Sequence, residues 1–480
     1  MPCTTILVGK KATIDGSTII ARTDDGQFDE KKIIVVEPDK QPRKYKSKIS
    51  GVEVELPDNP MRYTACPSVD PKNGIWAATG INSAHVGMTA TETITSNPRV
   101  QGADPMPEGK NGKPAGIGEE DLVVLVLPYI KTAKEGVIRL GALLEKYGTY
   151  EENGIAFNDE NDIWWLESIG GHHWIAARVP EGNYVVMPNQ FGLDHFDWED
   201  ALGDGENFLC SKDLKEFVEK NNLDANQSKE FNPRLAFGSH SDSDHVYNTP
   251  RGWYMCRYFN PRTYKWDGPD ADYTPESDDI PWSLKPERKI AIEEVKYILS
   301  SYYQGTKFNP YAKEDTGVRG KYRPIGVNRT GVTGILQIRS NVPDEIKGVE
   351  WVCFGCNAFN VACPVYTNVP KMPKYLSNTT LNVTTESFYW ATRLIGNMAD
   401  AHYSSSIQFV ERYQRAVFNG ARKILDEYDA KFIETHDLKL LEEANEKLSA
   451  MCKKETQKAL NNLTLQCSKG MKTGYNRADN

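Results

Sequence analysis

The chain has 480 residues, of which 26% are charged and 39% are hydrophobic, ordinary values for a globular protein with a large buried core. Its formal net charge of −9 argues against a nucleic-acid-binding surface and against attraction to anionic membranes. We find neither an apolar run of roughly 18 residues, which a membrane-spanning helix needs, nor the pattern of a secretion signal. Together with nine scattered cysteines, these features predict a cytoplasmic protein.

The chain begins with a predicted β-hairpin. Residues 3–9, CTTILVG, are apolar and β-branched, and residues 17–22, STIIAR, follow the turn signal DGS. Further predicted strands and tight turns, interrupted by one helical stretch, continue to about residue 190. This order indicates helices packed on layered antiparallel sheets.

The helical stretch lies between residue 119 and Gly148. Pro128 divides it into two pieces, because proline breaks a helix. The second piece is predicted to run from about Thr132 to Lys146, with Gly148 as its stop.

The rest of the chain has two further parts. Residues 195–285 are rich in Asp, Gly, Pro and aromatics, and residues 237–253, FGSHSDSDHVYNTPRGW, predict a long loop. From residue 387 the pattern is helical to about residue 466. Six residues there can line one apolar stripe: Leu394, Met398, Val410, Tyr413, Val417 and Ile424.

Cys3 stands at the beginning of the first predicted strand. If Met1 and Pro2 are removed, Cys3 carries a free α-amine with a usual pKa of about 7.7–8.0. That amine can accept the proton of the thiol on the same residue, which makes nucleophile and base one residue. The alternative interpretation is a small buried cysteine in a strand.

The segment ARTDD offers partners for this cysteine. The predicted hairpin brings Arg22 and Asp25 back beside Cys3. A carboxylate there could orient the α-ammonium, and a guanidinium could stabilise the thiolate. The alternative is a solvated cluster of charges at the end of a strand.

Four segments carry a family resemblance. The chain resembles the cysteine-nucleophile dipeptidases (dipeptidase A-like) of the N-terminal nucleophile (Ntn) hydrolase superfamily over essentially its whole length. The segments are CTTILVGKKATIDGSTIIARTDD at the start, NSAHVGMTATET from residue 82, the helical stretch beginning GIGEEDL, and GGHHWIAARVPEGNYVVMPNQF from residue 170.

The resemblance implies an α+β fold, a four-layer αββα Ntn-hydrolase sandwich with an additional helical C-terminal region. Residues 1–2 would be removed, residues 3–375 would form the catalytic core, and residues 376–480 would form helices packed on it. The implied activity is hydrolysis of dipeptides without metal or cofactor. We further expect a homo-oligomer.

The resemblance also implies roles for individual residues. Cys3 is the nucleophile, and Arg22 and Asp25 match an Arg-x-x-Asp pattern shared with bile-salt hydrolases and penicillin V acylases. Asn189 matches an asparagine whose amide donates to the oxyanion. We assign a second active-site arginine to Arg257, with Arg251 as the alternative.

The sequence departs from the simplest family pattern because Pro2 separates Met1 from Cys3. Removal of Met1 alone leaves no free amine on Cys3. The family solves this by self-cleavage, in which the thiol attacks the preceding carbonyl, and we predict the same loss of Pro2 here.

Three other clusters are expected to be structural. His172 and His173 are adjacent strand residues facing opposite sides, which disfavours a shared metal. The thiols of CFGCNAFNVAC, residues 353–363, lack a second Cys-x-x-Cys, so buried reduced cysteines are favoured. The segment SHSDSDH, residues 239–245, matches no calcium or zinc spacing and predicts a polar loop near the substrate entrance.

Two alternative functions remain open. An acylase or amidase of the penicillin V or bile-salt type could use the same Cys, Arg, Asp and Asn positions. A catalytically silent scaffold is a third hypothesis, and the joint presence of Cys3, Arg22, Asp25 and Asn189 argues against it.

Overall fold

A computed structural model describes residues 3–26, 29–90, 92–227, 230–314 and 316–471. The strands are β1 Thr4–Val8, β2 Thr18–Asp24, β3 Ile34–Val36, β4 Lys44–Lys46, β5 Glu53–Glu55, β6 Tyr63–Ala65, β7 Thr79–Ile81, β8 Gly87–Thr89, β9 Glu92–Thr93, β10 Asn153–Asn158, β11 Ile163–Ile169, β12 His173–Arg178, β13 Tyr184–Pro188, β14 Phe208–Cys210, β15 Ser283–Leu284, β16 Val332–Ile338, β17 Gly348–Phe354 and β18 Cys363–Tyr366.

The helices are α1 Pro98–Ala103, α2 Glu119–Val126, α3 Ala133–Tyr147, α4 Trp198–Leu202, α5 Leu214–Lys220, α6 Pro233–Phe237, α7 Asp244–Tyr247, α8 Thr249–Phe259, α9 Ile292–Leu299, α10 Lys374–Ser377, α11 Phe388–Ala401, α12 Tyr403–Thr435 and α13 Lys439–Lys469. Short 3-10 turns span Pro38–Lys40, Pro71–Asn73, Lys110–Gly112, Leu127–Tyr129, Asp344–Ile346 and Asn357–Phe359.

Two large antiparallel sheets contain most of the strands. The first sheet has the order β15-β13-β1-β2-β16-β17-β18, so β1 and β2 lie near its centre. The second has the order β14-β12-β11-β10-β8-β7, and β9 pairs with β10. Two small ribbons, β3–β6 and β4–β5, lie outside these sheets.

The predicted hairpin at the start of the chain is confirmed. β1 and β2 are antiparallel neighbours, with Thr5 opposite Arg22. Their turn is built as the DGS signal implies, because Asp15 Oδ1 accepts from the Ser17 nitrogen at 3.1 Å and Gly16 adopts a φ of +77°. The hairpin thereby returns Arg22 to the beginning of β1.

The two sheets share a buried apolar layer. Its members include Leu7, Ile20, Val185 and Leu336 of the first sheet and Ala156, Trp165 and Ile175 of the second. Side chains alternate along a strand, so Cys3 and Thr5 project to the same face as Leu7. The thiol therefore lies at one end of the layer between the sheets.

Helices cover the other face of each sheet. Val123 of α2 and Leu140 of α3 pack with Phe157 and Trp164 of the second sheet. A larger cluster joins the outer side chains of the first sheet to helices α8, α9, α11, α12 and α13. The fold is thus a mixed assembly of sheets and helices with a helical C-terminal region.

The second piece of the predicted helical stretch is confirmed as α3. Thr132 caps its start by accepting from the Glu135 nitrogen at 3.1 Å, and Gly148 ends it with a φ of +69°. In the C-terminal region the chain breaks at His402, between α11 and α12. The predicted apolar stripe is therefore divided between two helices.

The prediction of a long loop over residues 237–253 is wrong for its second half, which contains α7 and the beginning of α8. Pro250 stands in the first turn of α8, where a missing backbone N–H breaks no helical hydrogen bond. Although α12 has 33 residues, no helix in the described ranges is both long and apolar enough to cross a bilayer.

Candidate active site

Cys3 directly precedes β1 and is completely buried. β13 pairs with β1 so that Pro188 lies opposite Thr4, which brings the next residue, Asn189, beside Cys3. The Cys3 backbone nitrogen donates to Asn189 Oδ1 at 3.1 Å. Strand pairing therefore brings together two predicted site residues that are 186 positions apart in the chain.

Arg22 holds the thiol from the neighbouring strand. Its Nη2 donates to Cys3 Sγ at 2.9 Å and to Glu119 Oε1 at 2.5 Å. Burial raises the pKa of the Cys3 thiol to about 12, although the charge of Arg22 acts in the opposite direction. In the uncleaved chain the thiol is therefore protonated at neutral pH.

Asp25 lies on the other side of the strand from Arg22. Its carboxylate accepts from Thr23 Oγ1 at 3.1 Å, from Thr330 Oγ1 at 2.6 Å and from Arg323 Nη2 at 2.5 Å. Thr23 Oγ1 in turn accepts from the Thr4 nitrogen at 3.0 Å. Asp25 thus helps to fix, through Thr23, the position of Thr4 at the start of β1.

Arg251 reaches the same point from α8 and is fully buried. Its Nη1 donates to the Cys3 carbonyl oxygen and, at 2.7 Å, to Thr4 Oγ1. Its Nη2 donates to Asn189 Oδ1 at 2.8 Å. One guanidinium thereby connects the backbone of Cys3 to the side chain of Asn189.

The structure brings Arg251, and not Arg257, to Cys3. Arg257 bonds Asp267 Oδ2 through Nε at 3.0 Å and Nη2 at 2.8 Å. The two arginines stand six residues apart on α8, which is roughly 240° around the helix axis, so they face different surroundings. The assignment made from the sequence is corrected accordingly.

Carboxylates that sequence reasoning did not select lie close to the thiol. One oxygen each of Asp24 and Glu119 lies within 4.8 Å of the other and of Cys3 Sγ. Asp24 is paired with Lys31 at 2.8 Å, and it is 2% exposed. Asp24 could have been found as the residue opposite Cys3 in the hairpin, whereas Glu119 comes from a distant helix start.

Glu92 is a third buried carboxylate near the site. Its Oε2 accepts from Thr5 Oγ1 at 2.7 Å, on the face of β1 that carries the thiol. Burial raises the pKa of Glu92 to about 8, although Arg251 and the bond from Thr5 oppose the rise. The only sequence feature that points to Glu92 is its position near the end of the segment NSAHVGMTATET.

The cluster of Cys3, Asp24 and Glu119 has ligand types that could hold a cation. Arg22 already donates to both Cys3 Sγ and Glu119. Its guanidinium supplies positive charge at this point, which opposes the entry of a metal ion.

A cavity of about 630 Å³ adjoins Asn189. Its wall also contains Thr93, Tyr247 and several serines of the 239–245 segment. That the segment lies near the substrate entrance stays a prediction. Another cavity, of about 660 Å³, lies against α11 and is lined by Tyr311, Trp390 and Arg393 among others.

The adjacent histidines have a structural role. Nδ1 of His172 and Nδ1 of His173 both contact Asp104, at 2.9 Å and 2.7 Å, and His173 stacks on Phe217. The prediction that the two rings face opposite sides is wrong, because His172 belongs to the turn before β12.

The remaining clusters are also structural. All nine cysteines are free of disulfide bonds. Cys353 and Cys363 are buried, as predicted, whereas Cys356 is only partly buried. In the 239–245 segment, His245 Nε2 contacts Asp278 at 2.9 Å, and His240 Nε2 contacts the Arg234 carbonyl oxygen at 2.9 Å.

Comparison with known proteins identifies the family. Residues 2–416 match Peptidase family C69. A dipeptidase of Bifidobacterium longum is 57% identical over 426 residues, covering 86% of this chain and 80% of that protein. A probable dipeptidase A of Streptococcus pyogenes serotype M3 is 50% identical over 100% of both chains, and dipeptidase A of Lactobacillus helveticus is 44% identical over 89% of this chain and 88% of its own. The chain therefore belongs to Peptidase family C69, a family of cysteine peptidases.

Proposed function

We propose that this protein is a dipeptidase whose nucleophile is Cys3, exposed as the N-terminal residue by the loss of Met1 and Pro2. One observation carries the proposal: the nitrogen and the sulfur of Cys3 both have buried polar partners, Asn189 Oδ1 at 3.1 Å and Arg22 Nη2 at 2.9 Å. An N-terminal nucleophile needs its thiol and its own α-nitrogen held in one place. The names of the similar proteins support dipeptides as substrates.

Maturation is proposed to be self-cleavage. Met1 and Pro2 lie outside the described residues. Cys3 Sγ attacks the Pro2 carbonyl carbon, a C–S bond replaces the C–N bond, and the thiol proton passes to the freed nitrogen. Water then hydrolyses the thioester, which releases Met-Pro and leaves an amine on Cys3.

In the mature enzyme the α-amine acts as the base. It takes the Sγ proton, and the sulfur attacks the scissile carbonyl. The resulting ammonium donates to the departing amino acid, and water hydrolyses the thioester with the same amine as base. Arg22 stabilises developing thiolate charge, while Asn189 holds the nitrogen of Cys3 and Arg251 holds its carbonyl oxygen. The amide of Asn189 is the proposed donor to the oxyanion.

The proposal extends to fold and context. Helices outside two facing sheets support an αββα Ntn sandwich, with residues 3–375 as its core and residues 376–480 as the helical region. Nine free cysteines support a reducing cytoplasm. A homo-oligomeric state is part of the proposal and is measured by light scattering.

The test combines mass and activity. Intact mass should show a chain beginning at Cys3, and the purified enzyme should hydrolyse free dipeptides but neither penicillin V nor conjugated bile salts. Cys3→Ala should keep Met-Pro or Pro at its terminus, fold normally and be inactive. Cys353→Ala is the matched control, because Cys353 is equally buried but lies in β17.

Three results would count against the proposal. Active enzyme that retains Pro2 contradicts the N-terminal amine as base. Full activity of Cys3→Ala contradicts the nucleophile. Hydrolysis of penicillin V or bile salts without hydrolysis of dipeptides favours the acylase alternative.

A further inference from the structure

Three buried carboxyl groups lie around the Cys3 thiol and oppose its ionisation. Glu119, Glu92 and Asp24 each raise the pKa of the Cys3 thiol, in addition to the larger effect of burial. Carboxylates beside a thiol disfavour the thiolate. The α-amine of mature Cys3 can balance part of this charge, and a positively charged group of the substrate can balance the rest.

Two of these carboxylates have an oxygen without a partner. Asp24 Oδ1 and Glu92 Oε1 are buried and have no hydrogen-bond partner among the residues that the structure describes. An unpartnered buried oxygen costs about 1–3 kcal/mol, and more when it is charged. Lys31 and Arg22 keep the pKa of Asp24 below its usual value despite burial, so this carboxylate is negative at neutral pH.

The geometry of a dipeptide places a positive charge at this point. In a dipeptide the α-nitrogen lies roughly 2.5 Å from the scissile carbonyl carbon, as bond lengths require. That carbon must approach Sγ to roughly 3–3.5 Å for attack. The ammonium therefore lies within about 6 Å of the sulfur, a region that includes one oxygen each of Asp24 and Glu119.

We infer that Asp24, with Glu119 beside it, binds the free α-ammonium group of the dipeptide substrate. This inference rests on the proposed function and adds the substrate feature that the site requires, an unblocked amino terminus. Asp24 is the principal ligand, because Lys31 occupies one of its oxygens and the other has no partner within the described part of the chain.

With Asp24 as a ligand, the site distinguishes substrates that carry an α-ammonium group from substrates with an uncharged acyl group. A neutral acyl group bound beside Sγ would leave the Asp24 oxygen buried and unpartnered, which is unfavourable. A site built around a hydrogen-bonding group of its substrate rejects the analogue that lacks it by factors of about 10⁴–10⁵. The same carboxylate therefore disfavours an acylase function.

The experiment compares two substrates on the mature enzyme. One is the best dipeptide of the substrate panel, and the other is its des-amino analogue, in which hydrogen replaces the α-ammonium group. We expect the wild-type kcat/KM for the analogue to be lower by a factor of about 10³ or more. This arm needs no variant, so it does not depend on the folding of a mutant.

The second arm tests Asp24 directly. Asp24→Asn should lower kcat/KM for the dipeptide about 100-fold, mainly through KM, and change that for the analogue less than about threefold. Asp24→Glu, which keeps the charge, should restore part of the preference. Glu350→Gln is the matched control: Glu350 is a buried carboxylate that Thr64 and Thr79 bond, and the exchange should leave both rates unchanged.

The outcomes are distinct. Equal wild-type rates on both substrates overturn the ammonium subsite and leave the dipeptidase proposal standing. An equal loss of both rates in a folded, cleaved Asp24→Asn enzyme also overturns it, because that is the result of a structural role. Hydrolysis of neither substrate by wild-type enzyme beginning at Cys3 contradicts the proposed function itself.

Discussion

Arg22 donates from Nη2 to Cys3 Sγ at 2.9 Å, on a strand whose pairing is fixed by the hairpin itself. The same nitrogen donates to Glu119 at 2.5 Å. The guanidinium is thus the nearest described positive charge that lowers the pKa of the thiol, and it is itself held by a carboxylate. This relationship leads to the first prediction.

Replacing Arg22 by Met should lower kcat/KM by about 10²–10³, the usual effect of removing one donor from a developing negative charge. The pKa of the Cys3 thiol should rise further, so alkylation of mature enzyme by iodoacetamide should be slower between pH 7 and 9. Arg22→Lys keeps the charge but lacks the planar guanidinium group. Its kcat/KM and its rate of alkylation should lie between those of Arg22→Met and those of wild type.

The Arg22→Met enzyme should also be less stable, because Glu119 loses a buried ionic partner. Thermal melting separates that effect from catalysis. A folded Arg22→Met enzyme with wild-type alkylation and turnover would remove Arg22 from the mechanism.

The second prediction concerns the two arginines of α8. Arg251→Lys should lower kcat/KM about 10–100-fold and destabilise the fold by about 1–3 kcal/mol, since several buried acceptors, among them Asn189 Oδ1, lose a donor. Arg257→Lys is the matched control on the same helix. Its pair with Asp267 is at the surface, where such pairs contribute at most about 1 kcal/mol.

Steady-state kinetics and chemical unfolding of the two variants, measured side by side, decide this prediction. Equal effects of the two exchanges, or a larger effect at Arg257, would contradict the geometry of α8 described above.

The sequence predicted the parts of the site that depend on local pattern. The β-branched run, the DGS turn and the returning strand were sufficient to bring Arg22 to Cys3. The family resemblance supplied Asn189, and strand pairing with β13 places it at the Cys3 nitrogen. These relations follow from hairpin geometry and from short motifs.

The parts that were not predicted depend on tertiary structure. Arg251 is selected by the rotation of α8, whose start lies in a segment that resembles a loop because it is rich in Ser, Asp and Asn. Glu92 and Glu119 come from separate segments, and their contacts depend on burial that no local pattern specifies. Sequence periodicity carries no information on such contacts.

The third prediction separates two roles of Asn189. Its Oδ1 accepts from the Cys3 nitrogen, and its Nδ2 donates to the Thr93 carbonyl oxygen at 2.9 Å. Asn189→Asp keeps an acceptor and loses the amide donor, whereas Asn189→Ala loses both. If the Asn189 amide donates a hydrogen bond to the oxyanion, kcat of both variants should be lower by a factor of about 10²–10³.

Single-turnover kinetics of cleaved enzyme measure that step, and intact mass shows whether each variant still removes Pro2. Near-normal kcat in Asn189→Asp, together with a large loss in Asn189→Ala, would assign the residue to the α-nitrogen and contradict the oxyanion role.

The fourth prediction is a pH dependence of stability that arises from Glu92. Burial raises the pKa of Glu92 from 4.5 to about 8, so the folded state binds a proton that the unfolded state releases. The stabilisation from this proton is complete below pH 4.5 and is lost as pH rises to about 8. Glu92→Gln stays neutral and should not show this loss.

Chemical unfolding of wild type and Glu92→Gln at pH 5, 7 and 9 tests the sign. The stability of the variant relative to wild type should increase as pH rises. The expected increase in its free energy of unfolding relative to wild type is on the order of 3–5 kcal/mol between pH 5 and 9. Glu427→Gln is the control, because Glu427 lies partly exposed at the surface and has a pKa of about 2, so its contribution does not change over this range. A constant difference between Glu92→Gln and wild type would mean that Glu92 is ionised throughout, and the buried carboxylate would then carry a full negative charge beside Cys3.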